Sequence, residues 1–158
     1  MFTVNTNRVI KMNRGDEVQF PLFLNNGTRL NPIRYEFDVE DGCEIYFYIL
    51  PVNGSFDDYL LKKTFYSSGG CVSEFPYQAS ITDNSRVNIN DKKDMVIYLC
   101  KEDTQFLIPG EYMYVVRAKI ATDKINSANL IKSEPYMTFQ VTNKYSFYLI
   151  DDDINRAW

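Results

Sequence analysis

Three short runs of acidic residues are the first candidates for chemistry in this chain, at positions 40–41, 57–58 and 151–153. A glycosidase needs two carboxylates that face each other across a cleft. Neighbouring residues of a strand point to opposite faces, so adjacency alone does not build such a pair. The last run also lacks the glycine and the terminal glutamate of an EF-hand calcium loop. We therefore expect all three runs to be solvated surface charge.

Nucleophilic and metal-binding residue types are sparse. The chain contains no histidine, and Cys43, Cys71 and Cys100 show no Cys-x-x-Cys spacing. Without histidine, neither a Ser-His-Asp triad nor a His-Glu-x-x-His metal site can form, and three thiols are too few for a four-cysteine zinc site. No phosphate-binding glycine motif is present either. The sequence predicts a protein that is not an enzyme, uses no cofactor or metal, and keeps its thiols reduced and buried.

Charge and hydropathy narrow the class of partner. The formal net charge is −4, which creates no field that attracts a nucleic-acid backbone. No run of 18 apolar residues suggests a membrane span, and the polar start has no signal-peptide core. We expect a protein made in a cytoplasm, with neither nucleic acid nor membrane as partner. The 12 Tyr and 11 Phe favour strands and contact surfaces.

Alternation with a period of two dominates the chain and predicts strands. In EVQFPLFL, Val18, Phe20 and Leu22 share one face, and Pro21 predicts an edge strand or a bulge because proline cannot donate to a sheet. The run CEIYFYIL is apolar on both faces, which predicts a central strand whose outer side is covered by aromatics. The runs DMVIYLC, EYMYVVRAKI and EPYMTFQV alternate in the same way.

Turn residues separate these runs. Asn26-Gly27, Asn53-Gly54 and Gly69-Gly70 predict tight turns. Arg14-Gly15-Asp16 is a tripeptide that animal adhesion receptors read, but its place between two strands predicts a turn instead. We expect one short helix at most, over residues 55–63, because Ser55 can cap it. The polar stretch 66–93 predicts a long irregular excursion.

A corner is expected before the strand that starts near Glu111. Pro109 and Gly110 fit a type II turn, which needs a positive φ at the glycine. The hydroxyl of Tyr112 is expected to bond back to the backbone near Asp103, as in the tyrosine corner of immunoglobulin-like sandwiches. Together these signals predict an all-β, immunoglobulin-like antiparallel β-sandwich of about seven to nine strands. It forms one domain over residues 1–150, followed by an acidic and aromatic tail over 151–158.

The end of the chain is the candidate interface. Tyrosine and tryptophan carry much of the energy of protein interfaces, and the only Trp lies here. The hypothesis is that this segment contacts another chain; the alternative is a last core strand with a frayed tail. The residues concerned are Tyr145, Phe147, Tyr148, Asp151, Asp152, Asp153 and Trp158.

Several segments resemble a known family. They are RGDEVQFPLFLNNGTRLNPIRYEF, DGCEIYFYILPVNGSFDDYLLKKTF and EDTQFLIPGEYMYVVRAKI, about three-quarters of the chain. The residues that carry the resemblance are Arg14, Gly15, Asp16, Glu44, Tyr46, Phe47, Pro51, Asn53, Phe56, Lys62, Lys63, Asp103, Thr104, Leu107, Pro109, Gly110, Tyr112 and Tyr114. In this order they resemble small β-sandwich structural proteins of tailed bacteriophages and prophages of gut Firmicutes, which are similar to the immunoglobulin-like N-terminal domain of phage baseplate upper proteins. The stretch 67–93 and the segment after Val141 depart from that pattern.

The resemblance implies a non-enzymatic structural protein located in a virion. Its partners would be other virion proteins of the capsid, neck or baseplate, and also further copies of itself. A head-associated role is expected, as a capsid decoration, head-fibre anchor or neck component; the alternative is a tail or baseplate component. A carbohydrate-binding module on the virion surface is a further alternative. Coplanar exposed tyrosines in a concave face would favour sugar, whereas aromatics on flat faces would favour protein assembly.

Overall fold

The computed structural model of the chain describes residues 9–26, 30–124 and 134–151. These ranges contain ten strands, one short α-helix and two 3₁₀ turns, at Phe56–Asp58 and Thr122–Lys124. The strands are β1 Ile10–Asn13, β2 Val18–Leu22, β3 Glu44–Leu50, β4 Leu61–Tyr66, β5 Cys71–Glu74, β6 Ile81–Asp83, β7 Met95–Leu99, β8 Gly110–Ala121, β9 Tyr136–Gln140 and β10 Tyr145–Ile150; the helix is α1 Lys101–Thr104. None of the described helices is long and apolar enough to cross a bilayer.

Two sheets form an all-β, immunoglobulin-like sandwich, as the strand pattern predicted. The large sheet has the order β1-β10-β8-β3-β4-β5-β6, with β9 beside β8, and β2 with β7 forms the small sheet. One pairing departs from the predicted antiparallel arrangement: β1 runs parallel to β10. No hairpin joins these two strands, so the connection between them does not impose an antiparallel direction.

Strand β3 lies at the centre of the large sheet, between β4 and β8. Ile45, Phe47 and Ile49 on one of its faces are fully buried in the main core. On its other face, Tyr48 and Leu50 form a second buried cluster with Val115, against which Phe56 and Tyr59 pack. The prediction of a central strand with aromatics over its outer side is confirmed.

The predicted helix over residues 55–63 is wrong. Only the 3₁₀ turn Phe56–Asp58 forms there, and β4 begins at Leu61. Leu61 pairs with Ile49 of β3 and Phe65 pairs with Ile45, so burial against the central strand outweighs the local capping signals. The stretch 66–93 is likewise more ordered than predicted, since β5 and β6 extend the large sheet.

Arg14-Gly15-Asp16 forms a turn, as predicted. Gly15 has a φ of +86°, and the N–H of Asp16 donates to the carbonyl of Asn13 at 3.0 Å. This turn carries the chain from β1 in the large sheet to β2 in the small one. The turn between β4 and β5 also agrees with the prediction, because Gly69 and Gly70 both have positive φ. Gly27 lies outside the described residues, so the structure does not describe the turn predicted there.

Candidate interaction surface

The predicted interface residues on β10 divide between two faces. Tyr148 is 38% exposed, whereas Phe147 is fully buried in the core and is not accessible to a partner. Tyr145 is half-buried, and its ring centroid lies 5.9 Å from that of Tyr114. Successive residues of a strand point to opposite faces, so a single strand cannot present neighbouring side chains to one partner.

The tail of the candidate interface is described only at its first residue. Asp151 accepts a 2.8 Å hydrogen bond from the guanidinium of Arg14, and the N–H of Arg14 donates to the carbonyl of Ile150 at 2.7 Å. The end of β10 is therefore bound to the turn after β1. Asp152, Asp153 and Trp158 lie outside the described residues.

The predicted corner is only partly correct. The hydroxyl of Tyr112 donates to the carbonyl of Ile108, four residues upstream, and not to the backbone near Asp103. Gly110 is the first residue of β8 and is not among the glycines with positive φ, so Pro109-Gly110 does not form a type II turn. The strand begins at the glycine itself, because Gly110 already pairs with Leu149 of β10.

Asp103 has a different set of partners, of which Lys63 and Ser73 are buried and Cys100 is half-buried. Its carboxylate accepts hydrogen bonds from Lys63 Nζ at 2.7 Å, from the hydroxyl of Ser73 at 2.6 Å and from the N–H of Cys100 at 2.8 Å. The side chains of Lys63 and Asp103 are only 2% and 3% exposed. This buried cluster joins β4, β5 and α1 through a single carboxylate.

Aromatic rings and thiols surround the buried lysine. Lys63 Nζ lies 4.2 Å from the centre of the Tyr98 ring and 4.0 Å from the sulfur of Cys100. A cavity of about 270 Å³ adjoins this cluster and is also lined by Cys71. Burial raises the pKa of the Cys100 thiol, which keeps that thiol protonated and weakly nucleophilic. The arrangement therefore supports the packing of the domain rather than nucleophilic chemistry.

The acidic runs do not all lie in solvent. Asp57 and Asp58 are exposed, as expected, and Asp58 accepts hydrogen bonds from Ser55. Asp41 is buried, which contradicts the expectation: its side chain is 2% exposed and pairs with Lys124. Its other carboxylate oxygen accepts from the N–H of Asp38 at 2.9 Å. Across the described ranges, no three potential metal ligands come together.

A second polar network lies on the opposite side of the large sheet. On the side of β3, β4, β5 and β8 that points away from the main core, we call the part that is not covered by the second buried cluster the outer face. Its members follow from strand pairing, since each is out of phase with the residues of its own strand that lie in the main core. The outer face carries Glu44, Tyr46, Lys62, Tyr66, Glu74 and Lys119.

Two lysine–glutamate pairs cross the outer face. Lys119 and Glu44 lie 3.6 Å apart, and Lys62 and Glu74 lie 3.8 Å apart. Tyr46 connects the pairs, because its hydroxyl donates to Glu44 while Lys62 Nζ lies 5.4 Å from its ring centre. Burial, and then the hydrogen bond to Glu44, raise the pKa of Tyr46. The tyrosine therefore stays neutral at physiological pH.

Part of the sheet beside the outer face is already covered by the chain itself. The connection between β3 and β4 folds over Tyr48 and Leu50 with Phe56. Arg117 lies 4.8 Å from the centre of the Phe56 ring, and Lys144 Nζ donates to the carbonyl of Gly54 at 2.8 Å. These contacts hold the connection down, so the six residues of the outer face form a separate and more open patch.

The sequence analysis predicted neither the buried partners of Asp103 nor the lysine–glutamate pairs of the outer face. The signal for the buried lysine was present, because Leu61, Lys63 and Phe65 alternate in phase and all three are fully buried. A period-two reading of β4 would have placed Lys63 inside and Lys62 outside. The helix reading hid that phase.

Neither the protein-family models nor the curated proteins contain a match to this chain.

Proposed function

We propose that this chain is a non-enzymatic structural protein of a bacteriophage virion, and that it makes its protein–protein contacts through the outer face. The observation that carries the contact surface is the combination of half-buried tyrosines with lysine–glutamate pairs on four adjacent strands. Tyrosine is enriched where proteins meet, and flanking charges of both signs select the partner and its orientation. The virion as the setting is supported by the sequence resemblance described above.

Within the particle we propose a head-associated role, as a capsid decoration, a head-fibre anchor or a neck component. A tail or baseplate component is the second candidate, because the resemblance extends to the N-terminal domain of baseplate upper proteins. Both roles require a rigid domain that docks on neighbouring proteins. The buried cluster around Asp103, which joins β4, β5 and α1, supports that rigidity.

A carbohydrate-binding module is less well supported by the outer face. A sugar would need the face of an aromatic ring for stacking and free polar groups beside it. Lys62 occupies the region above the Tyr46 ring, and the Tyr46 hydroxyl already donates to Glu44. These contacts favour a protein partner.

Mass spectrometry of purified phage particles tests the setting. Particles induced from the bacterium that carries this gene should contain the chain in fixed ratio to the major capsid protein. After heads and tails are separated, we expect the chain with the heads. Its presence with the tails would favour the second candidate, and its absence from both fractions would overturn the virion proposal.

Site-specific photo-crosslinking tests the surface. A photoreactive phenylalanine analogue at Tyr66 should crosslink to a protein of the particle. The matched control carries the analogue at Tyr77, which is 95% exposed and lies in the connection between β5 and β6, outside the four strands of the outer face. Equal crosslinking from both positions would contradict the outer face as the contact surface.

A further inference from the structure

We infer that Lys63 and Asp103 condense to an intramolecular isopeptide bond, so that the mature chain carries a covalent cross-link between β4 and α1. The ion pair described above is the reactant state of this step. The cross-link is a modification of the chain by itself, and it depends neither on the virion setting nor on the outer face.

Burial distinguishes this pair from the other ion pairs of the described residues. The side chains of Lys63 and Asp103 are 2% and 3% exposed, whereas every other ion pair in the described ranges has at least one side chain that is 36% exposed or more. Charges inside a protein have lost their hydration, which makes the ionised state costly there. A neutral amide between the same atoms removes both charges from the interior, so burial favours condensation over hydrolysis.

The reacting groups are already in contact. Lys63 Nζ lies 2.7 Å from Oδ2 of Asp103, and the carboxyl carbon lies only one C–O bond beyond that oxygen. Reactants held about 3–3.5 Å apart in a fixed orientation react as if they were present at very high concentration. The ring centres of Phe65 and Tyr98, 5.4 and 4.2 Å from Nζ, shield the amine from solvent. The nucleophile is this amine and not the neighbouring thiol of Cys100.

The hydrogen bonds to the carboxylate suit an acyl transfer. Passage of one proton from the ammonium of Lys63 to Asp103 leaves a neutral amine in contact with a neutral acid. When the amine attacks the carboxyl carbon, the N–H of Cys100, 2.8 Å from Oδ2, stabilises the negative charge that develops on that oxygen. Ser73 is the cross-strand partner of Lys63 and donates to Oδ1 at 2.6 Å. Its hydroxyl can both give and accept a proton, so it can relay protons to Oδ1.

The step balances without an oxidant or a co-reactant. The bond between Nζ of Lys63 and Cγ of Asp103 forms, and the bond between Cγ and Oδ1 breaks. Two protons of the ammonium leave with Oδ1 as water, and the remaining proton stays on the amide nitrogen. The adjoining cavity of about 270 Å³, which both residues and Ser73 line, has room for that water.

The bond closes a loop whose ends are 40 positions apart and which contains β5, β6 and β7. Strands β5 and β6 belong to the large sheet, whereas β7 belongs to the small sheet and leads directly into α1. The cross-link therefore ties the two sheets together covalently. Closure of such a loop restricts the unfolded chain, which stabilises the folded one.

Intact-mass spectrometry of the purified full-length chain under reducing conditions tests the bond. The wild-type chain should be lighter than its sequence mass by one water, about 18 Da. Lys63→Arg should have its full sequence mass, because the guanidinium keeps the charge but does not condense. Lys62→Arg is the matched control and should retain the mass loss, since Lys62 is the exposed neighbour and pairs with Glu74.

Tryptic peptides of the wild-type chain locate the bond independently of how the variants fold. Trypsin does not cut after an acylated lysine, so residues 63–86 should appear joined to residues 102–117 as one branched peptide. A succinimide at Asp41-Gly42 would also remove one water, but that loss would persist in Lys63→Arg. The inference is overturned by a wild-type chain that keeps its full sequence mass after prolonged incubation, by a mass loss that Lys63→Arg retains, or by the absence of the branched peptide.

Discussion

Lys62 and Lys63 are neighbours in the chain and identical in type, yet they lie in opposite environments. Lys62 is on the outer face with a side chain 32% exposed, and its partner Glu74 is 41% exposed. Lys63 is 2% exposed and lies 2.7 Å from Asp103, which is 3% exposed. The alternation of β4 places one lysine toward solvent and the other in the interior.

The difference shows that burial, and not residue type, decides how much the loss of one partner of a charged pair lowers the stability of the fold. An exposed pair gains little because water screens it and two long side chains must be held in place. A buried pair has lost its hydration, so removal of one partner leaves an uncompensated charge in a medium of low polarity. We expect the inner pair to govern stability and the outer pairs to govern association.

Removal of the buried lysine should have the largest effect. Lys63→Met keeps the length of the stem but leaves Asp103 without its cation. The free energy of unfolding should fall by about 3–5 kcal/mol, measured by urea denaturation. The second variant is Lys63→Met with Asp103→Asn, in which the amide oxygen can accept from the N–H of Cys100 while the amide NH2 group donates to the hydroxyl of Ser73. This double variant should be more stable than Lys63→Met alone, and equal or lower stability would contradict an electrostatic origin.

Loss of one hydrogen bond to the same carboxylate should have the second largest effect. Ser73→Ala removes the 2.6 Å bond to Asp103 at a site where both residues are buried. Stability should fall by about 2 kcal/mol, because the bond is made to a buried charge. Ser85→Ala removes a serine–aspartate bond of the same kind, to Asp83, at an exposed site. Thermal denaturation should show little change for that control, and similar losses at both sites would remove the distinction.

A further loss of stability should appear only at alkaline pH. It concerns buried groups that carry no charge at neutral pH, in contrast to the lysine–carboxylate pairs. Burial raises the pKa of the Cys43 thiol from 9.0 to about 11 and that of the Tyr114 hydroxyl from 10.0 to about 12. The unfolded chain loses these protons first and so binds fewer protons than the folded chain. Stability is therefore complete below pH 9 and falls as pH rises through these windows.

Each group should contribute at most about 3 kcal/mol to that fall once pH has passed both of its pKa values. Cys43→Ala should flatten the dependence between about pH 9 and 11, and Tyr114→Phe between about pH 10 and 12, when urea denaturation is repeated across this range. Both variants can start from a lower stability, so the slope against pH is the quantity to compare. An unchanged slope in both would show that these groups titrate alike in the folded and unfolded chains.

The smallest effect is expected for the exposed member of the lysine pair. Lys62→Met should change the free energy of unfolding of the single chain by about 0.5 kcal/mol, because it removes one screened pair. Urea denaturation at protein concentrations low enough to keep the chain monomeric is the measurement. A loss as large as that of Lys63→Met would break the comparison on which these expectations depend.

Much of the fold followed from local patterns. The alternation in CEIYFYIL predicted a central strand with two apolar faces, and Gly15, Gly69 and Gly70 predicted turns that the structure contains. Local patterns failed where two readings competed. Ser55 and the acids after it resemble a helix start, but Leu61 and Phe65 gain more by pairing with β3. The parallel pairing of β1 with β10 was also missed, because no local signal encodes the direction of strands that are not joined by a hairpin.

Local sequence patterns predicted the candidate site even less well than they predicted the fold. Asp103 was predicted as part of a corner with Tyr112, whereas its partners Lys63 and Ser73 lie 40 and 30 positions away. The outer face is built from four strands that follow no simple sequence order, so no segment contains its charge pattern. Phe147 shows the converse, since alternation along β10 directed it into the core although composition favoured an interface.

The sequence by itself determined that strands are the main element of this chain, which side chains of the predicted strands share a face, and that Gly15, Gly69 and Gly70 lie in turns. These properties arise from sterics and solvation within a few residues. Only the tertiary structure decided that Lys63 meets Asp103 in the interior, and that Lys119 pairs with Glu44 and Lys62 with Glu74 on the outer face. The physical reason is that strand order and register are selected by burial of the whole core, and charged groups take the partners that this selection brings to them.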